Sequence, residues 1–272
     1  MPLPLGPTFR DTLAEAGRPL AGMWVCSGSP LVAEICAGSG LDWLLIDAEH
    51  SPNGLESILA QLQAVHGYPI QVLVRPPVND PVVIKQYLDL GVQNLLVPMV
   101  NSVADAEAAV AATRYPPSGV RGVGSALARA ARWNRIPDYL ARAGDTISIT
   151  VQIESDAAVE AVEDILAVEG VDAIFLGPSD LAASMGLLGL QEHPQVRTAV
   201  EHCLAAARRA GKPAGVNAFR PATAKHYLAA GAAFVLVGAD VALLARGSEA
   251  LAAEYIPVPE DRATDGNAPA SY

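Results

Sequence analysis

Lysine is nearly missing from this chain: Lys85, Lys212 and Lys225 are the only three in 272 residues. Basic residues as a whole are outnumbered, 18 against 29 acids, giving a formal net charge of −11 and a pI near 4.8. A surface of that sign repels phosphate backbones and anionic lipid, which counts against nucleic acid and membrane as partners. Cysteine is equally scarce. Cys26, Cys36 and Cys203 have no metal-type spacing, and an odd, sparse set suits a reducing cytosol rather than a disulfide framework. No apolar run approaches the roughly 18 residues of a membrane span, and the opening MPLPLGPTFRDTLAEAG lacks the basic and apolar segments of a leader. The expectation is a soluble, cytoplasmic protein. The glycines Gly119, Gly122 and Gly124 neither follow a strand nor open a helix, so a nucleotide-binding loop, and with it a nicotinamide cofactor, is not expected.

What the chain does have is apolar sequence in short, rhythmic pieces. Hydrophobic residues make up 51% of it, only 5% being aromatic, a composition that suits buried parallel strands covered by Ala-rich helices. Strands are predicted at Gly22–Cys26, Trp43–Asp47, Gln71–Arg75, Asn94–Pro98, Ile149–Ile153, Ala173–Leu176, Pro213–Val216 and Phe234–Val237. Helical spacing falls between them, as over Ser155–Gly170, where Val159, Val162, Ile165 and Leu166 share a face. The helix after Arg75 is well marked, with Asp80 as cap, Pro81 in the first turn and Gly91 beyond its end. Arg114–Gly144 reads as a long irregular insert, a lid or a subunit contact. Eight strands alternating with helices in this length favour a single closed (β/α)8 TIM barrel over 1–256, with a polar tail over 257–272.

Parallel strands send their carboxyl ends to one mouth, where such folds carry their sites. Gathered there are Trp24, Cys26, Asp47, His50, Arg75, Gln152, Glu154, Ser179, Asp180 and Asn217. Glu154 and Asp180, at the ends of neighbouring strands, could hold a hard divalent cation; two solvated loop acids is the plainer alternative. Arg75 offers a fixed fork for a carboxylate or an enolate oxygen. His50 is the one histidine of five placed beyond a strand end, which makes it the acid/base candidate. Cys26 has no histidine beside it in sequence and reads as a small packed residue. Lys85 and Lys225 fall in helices and Lys212 precedes its strand at the opposite mouth, so no lysine is placed to form a Schiff base with substrate or pyridoxal phosphate. Carbonyl chemistry in this pocket would have to rely on a metal.

Together, DWLLIDAEHSPNG, QVLVRPP, DPVVIKQYLDLGVQNLLVPMVNS, YPPSGVRGVG, VQIES and FLGPSDLAASMG resemble the class II, metal-dependent 2-keto-acid aldolases, from about Arg10 to Glu254. The resemblance implies reversible cleavage of a 4-hydroxy-2-oxo acid to pyruvate and an aldehyde, with Mg2+, Mn2+ or Co2+ and through an enolate. It implies a barrel assembled as a homo-oligomer, a hexamer, with an exchanged C-terminal helix. By position, Glu154 and Asp180 resemble the family's metal ligands, Arg75 its enolate-stabilising arginine and His50 its acid/base histidine, with Asp47 and Asp89 as acidic partners. Gln152 and the backbone around Ser179–Asp180 resemble the pocket for the pyruvate carboxylate.

Asp89 ends a helix antiparallel to its strand and so finishes at the wrong mouth of its own barrel; acting on His50, it would have to come from a neighbouring subunit. Asn217 departs from the family pattern, where an apolar residue is expected, and together with Trp24 it bears on the choice of aldehyde. Two rivals remain at this point. One is an acyl-CoA lyase of the malyl- or citramalyl-CoA type, for which no dedicated basic or phosphate-binding element is evident. The other is a non-catalytic keto-acid-binding protein.

Overall fold

The computed structural model describes residues 2–257. The predicted tail, apart from Pro257, lies outside the described residues. Eight parallel strands form a closed barrel, β1 (Leu20–Val25), β2 (Trp43–Asp47), β3 (Gln71–Arg75), β4 (Asn94–Val97), β5 (Ser148–Ile153), β6 (Ala173–Leu176), β7 (Ala214–Asn217) and β8 (Phe234–Ala239). Each pairs with the next, and β8 pairs with β1 to close the ring. The expected (β/α)8 barrel is what the chain forms.

Period-two alternation sorts the strand residues into two cores. Leu44 and Ile46 of β2 pack outward among the helices, while Trp43 and Leu45 point into the barrel. In the same way Val74 faces out and Leu73 in, Ile174 and Leu176 out and Phe175 in. The next inward step after Leu45 and Leu73 is Asp47 and Arg75, which are register partners across β2 and β3. The polar row at the carboxyl mouth therefore continues the same alternation that fills the barrel with apolar side chains.

The amino mouth is closed by a helix absent from the predicted set, Phe9–Glu15. Thr8 and Asp11 form a reciprocal capping box at its start. Phe9 is fully buried, and its N–H donates to Asn94 Oδ1 at 2.7 Å. Its ring lies 5.5 Å from that of Trp43 and 5.2 Å, edge-on, from that of Phe234. Phe9, Trp43, Phe175 and Phe234 thus form an aromatic plug. Two inward glycines make room for it: a Cβ on Gly22 would collide with the Trp43 ring, and one on Gly215 with the Phe234 ring.

Other elements differ modestly from expectation. The single helix predicted over Ser155–Gly170 is two, Asp156–Glu160 and Val162–Ala167, broken at Ala161. An additional helix, Pro178–Ser184, follows β6 and carries Asp180 in its first turn. The Arg114–Gly144 insert packs against the Pro81–Asp89 helix, with Arg121 Nη2 on Asp89 Oδ1 at 3.1 Å and Arg129 Nη1 on the Leu90 carbonyl at 2.8 Å. It does not cover the carboxyl mouth of its own barrel, so a lid over that mouth is not its role within one chain.

Candidate active site

The carboxyl mouth holds a cavity of about 710 Å³ lined by nine of the ten residues gathered there from the sequence: Trp24, Cys26, Asp47, His50, Arg75, Gln152, Ser179, Asp180 and Asn217. Glu154 is not among the lining residues but adjoins two of them, Gly177 and Gln152; its Oε2 accepts from Gln152 Nε2 and its Oε1 from the Met99 N–H at 2.7 Å. Met99 holds that N–H in place with a left-handed backbone, φ +54°. Asp89 is at the other mouth, paired with Arg121 as described.

Arg75 is the centre of the arrangement and is almost wholly buried. Its Nε donates to Asp47 Oδ1 at 2.7 Å, and its Nη1 donates to Gln152 Oε1 at 3.4 Å and lies 2.9 Å from Glu49 Oε2. Its guanidinium carbon stands 4.3 Å above the Trp24 ring centroid. Trp24 Nε1 in turn donates to Asn217 Oδ1 at 3.0 Å, which turns the Asn217 amide N–H2 toward the cavity. Arg75 Nη2 has no protein partner among the described residues.

Burial alone would raise the carboxyl of Asp47, but the hydrogen bond and charge of Arg75 outweigh it and hold Asp47 below its ordinary value. The same carboxylate accepts from the N–H groups of Glu49 at 3.1 Å and His50 at 3.2 Å and from Ser51 Oγ at 3.2 Å, folding the loop after β2 around itself. This corrects one expectation. Asp47 holds Arg75 and the backbone of His50 rather than its ring, and the nearest acid to the imidazole is Glu49, with Oε2 4.0 Å from Nε2.

Burial pushes Glu154 up to about 7, with the charges of Asp180 and Glu49 adding to the effect. Glu49 is raised as well, first by burial, with contributions from Asp47 and Asp180. Four carboxylates, Asp47, Glu49, Glu154 and Asp180, thus crowd one mouth, and the Arg75 cation only partly offsets them. Burial also pushes the Cys26 thiol up to about 11, which favours its protonated form near neutrality, although the residue is half-buried and lines the cavity rather than being wholly packed away.

Two contributors escaped the sequence reading. Glu49 lies within the DAEH stretch, but the direction of a loop side chain depends on the turn that Asp47 organises. Asp240, buried at the start of the last helix, accepts from the N–H groups of Cys26 at 2.8 Å and Ser27 at 3.0 Å, and so fixes the end of β1 beside Trp24.

The sequence profile of the HpcH/HpaI aldolase/citrate lyase family matches residues 20–247. The chain belongs to that family. A protein from Salmonella dublin named 4-hydroxy-2-oxo-heptane-1,7-dioate aldolase is 54% identical over 247 residues, 91% of this chain and 94% of that one. Among solved structures, an HpcH/HpaI aldolase/citrate lyase family protein from Burkholderia cenocepacia J2315 superposes with a TM-score of 0.86 at 40% identity, covering 90% of this chain and 97% of that one. A citrate synthase, SbnG, shares the fold with a TM-score of 0.80 at 27% identity over 91% of this chain and 96% of its own. The expected aldolase, a carbon–carbon lyase acting on small molecules, is borne out by this kinship. No helix among the described residues is long and apolar enough to cross a membrane.

Proposed function

We propose that this chain is a class II pyruvate aldolase, cleaving a 4-hydroxy-2-oxo acid to pyruvate and an aldehyde at the carboxyl mouth of the barrel. The observation that carries the reading is the pinned Arg75, with Nη2 free, lining the same cavity as Asp180 and Gln152, with Glu154 hydrogen-bonded behind Gln152.

Glu154 and Asp180 would hold a divalent cation, Mg2+, Mn2+ or Co2+. The donor set fits: both are hard oxygen ligands, and crowding by Asp180 and Glu49 helps raise Glu154 toward neutrality, a penalty that a cation would relieve. No group of three or more His, Cys, Asp or Glu side chains spaced for a metal occurs among the described residues, so the ion would rest on these two carboxylates, with substrate and water completing its coordination. When bound, such an ion supplies Lewis-acid polarisation of the substrate keto group.

The remaining work falls to the chain. Gln152 and the first-turn N–H groups at Ser179 and Asp180 receive the substrate carboxylate. His50, two-thirds exposed at the rim, takes the proton from the C4 hydroxyl as the C3–C4 bond breaks and the aldehyde carbonyl forms. The bonding electrons move into the C2–C3 bond, and negative charge grows on the C2 oxygen. Arg75 Nη2 donates to that oxygen, from a guanidinium that its bonds to Asp47 and Gln152 keep from reorienting. Protonation at C3 gives pyruvate, and the reverse sequence builds the carbon–carbon bond. The Asn217 amide, beside Trp24, faces the part of the cavity left for the aldehyde substituent.

A homo-oligomer, a hexamer with an exchanged last helix, completes the reading. The helix Asp240–Tyr255 supports it, because Leu243, Leu244, Leu251 and Tyr255 are exposed and only Asp240 is buried. Asp89 would then act on the His50 of a neighbouring subunit. The acidic surface and free cysteines are in keeping with a cytoplasmic enzyme. A retro-aldol screen over 4-hydroxy-2-oxo acids, read by pyruvate release with Mg2+ or Mn2+, tests the proposal. Turnover of at least one such acid is expected; cleavage of malyl-CoA or citramalyl-CoA with none of these acids turned over would overturn it.

A further inference from the structure

At the amino mouth, remote from the chemistry, lies a second cavity of about 840 Å³ between the segment Pro4–Pro7 and the insert. Its polar wall is His66, Tyr68, Gln71, Gln93, Arg129 and Arg132. The two arginines converge: Nη1 of Arg129 and Nη1 of Arg132 lie 2.9 and 3.0 Å from the place a Cβ on Gly91 would occupy. Gly91 has no such atom and adopts φ +92°, so the helix end gives way to both guanidiniums. Arg132, Trp133 and Asn134 follow in the left-handed region at φ 48°, 54° and 60°, which turns the insert back across the cavity.

Like charges this close call for a counter-charge, and the protein supplies none. Arg129 Nη1 donates to the Leu90 carbonyl at 2.8 Å and Arg132 Nη1 to the Arg129 carbonyl at 2.9 Å, both neutral acceptors. Among the described residues neither arginine has a carboxylate partner. Asp42, the one acid among the residues lining the cavity, is taken by Arg18 at 2.6 Å. This occurs in a chain where acids outnumber bases 29 to 18, so a pair of arginines left without an acid stands out. Burial, and then its neighbour Arg132, lower Arg129 to about 10, while burial followed by both arginine charges lowers His66. The charged state is held here at a cost that an anion would remove.

We propose that Arg129 and Arg132 form a binding site for a small dianionic oxyanion, a phosphate group or a dicarboxylate, at the amino mouth of the barrel. The free Nε and Nη2 groups of two planar forks match paired oxygens on such an ion, and a monovalent halide could not span them. An occupant would tie the insert to the end of the helix that carries Asp89. The site does not depend on the aldolase reading.

The test is thermal unfolding of the full chain against inorganic phosphate, succinate and, at matched ionic strength, potassium chloride. The wild type should show a saturable rise in Tm with phosphate or succinate beyond the chloride control; the ion with the lower half-saturation identifies the ligand class. Arg132→Gln keeps the Arg129–Leu90 bond and should weaken half-saturation at least tenfold. Without anion its Tm should equal or exceed that of the wild type, because a repulsion has been removed, and its retro-aldol rate should be unchanged. His66→Glu, an exposed rim substitution that puts an acid beside the pair, should weaken the ion to a similar degree. A rise that survives both substitutions would place the ion elsewhere, at Arg75 for instance, and overturn the proposal. An Arg132→Gln protein less stable at every anion concentration, or a wild type that responds to phosphate and succinate no more than to chloride, would overturn it too.

Discussion

Arg75 Nε and Asp47 Oδ1 meet at 2.7 Å on adjacent strands, each side chain all but closed off from water. Removing one member of a buried pair leaves the other uncompensated, typically at about 3–5 kcal/mol. Glu49 stays 2.9 Å from Arg75 Nη1, so Asp47→Asn should fall at the low end, about 3 kcal/mol near neutral pH by denaturant unfolding. The sign with pH follows from the lowered carboxyl of Asp47. Its contribution is fully present above the unfolded value of about 3.9 and fades as pH falls through the folded one. The gap between wild type and Asp47→Asn should therefore narrow below about pH 4. A gap that widens on acidification would show that Asp47 is not held ionised by Arg75.

His50 stands two-thirds exposed at the rim, its nearest acid Glu49 at 4.0 Å. Its loss should leave the circular dichroism and Tm unchanged while costing about 10² to 10⁴ in retro-aldol rate, the usual contribution of a positioned acid/base group. A variant that keeps its rate would remove His50 from the mechanism.

Asn217 is locked by Trp24 Nε1 at 3.0 Å, with its amide N–H2 presented to the cavity. Asn217→Leu should discriminate among aldehydes. Acceptors with a hydroxyl or carboxylate beyond the carbonyl should lose about 1 kcal/mol, roughly fivefold in kcat/KM, and apolar acceptors little or nothing. Equal losses across the series would mean that the amide merely supports Trp24.

Phe9 closes the far end of the barrel among Trp43 and Phe234. Phe9→Ala should cost about 3–5 kcal/mol of stability. Measured below its Tm, the variant should retain wild-type kcat, since the plug and the catalytic mouth lie at opposite ends of the barrel.

The division between what was and was not legible in the sequence follows from periodicity. Trp24, Asp47, Arg75 and Gln152 could be read because a strand residue's side is fixed by parity, and the apolar run before each one sets the phase. Glu49 could not, since its direction comes from the turn that Asp47 builds by accepting three bonds. The Phe9–Glu15 helix is seven residues with one fully buried side chain, too short to show a face, and only its Thr8–Asp11 capping box marks it. Asp180 belongs to the first turn of a short helix introduced by Pro178, a helix that the apolar pattern after Leu176 does not announce. The convergence of Arg129 and Arg132 on Gly91 spans some forty residues of chain and is a product of tertiary packing alone.

The most direct measurement of the central claim is the exchange of pyruvate methyl protons with deuterated water, followed by NMR without any aldehyde. It isolates the step at which negative charge appears beside Arg75. Exchange is expected with wild-type protein and Mg2+ or Mn2+, and is expected to vanish with EDTA, in Arg75→Ala and in Glu154→Gln. Exchange at the wild-type rate in Arg75→Ala, or in metal-free protein, would contradict the assignment of this mouth as the place where pyruvate is activated.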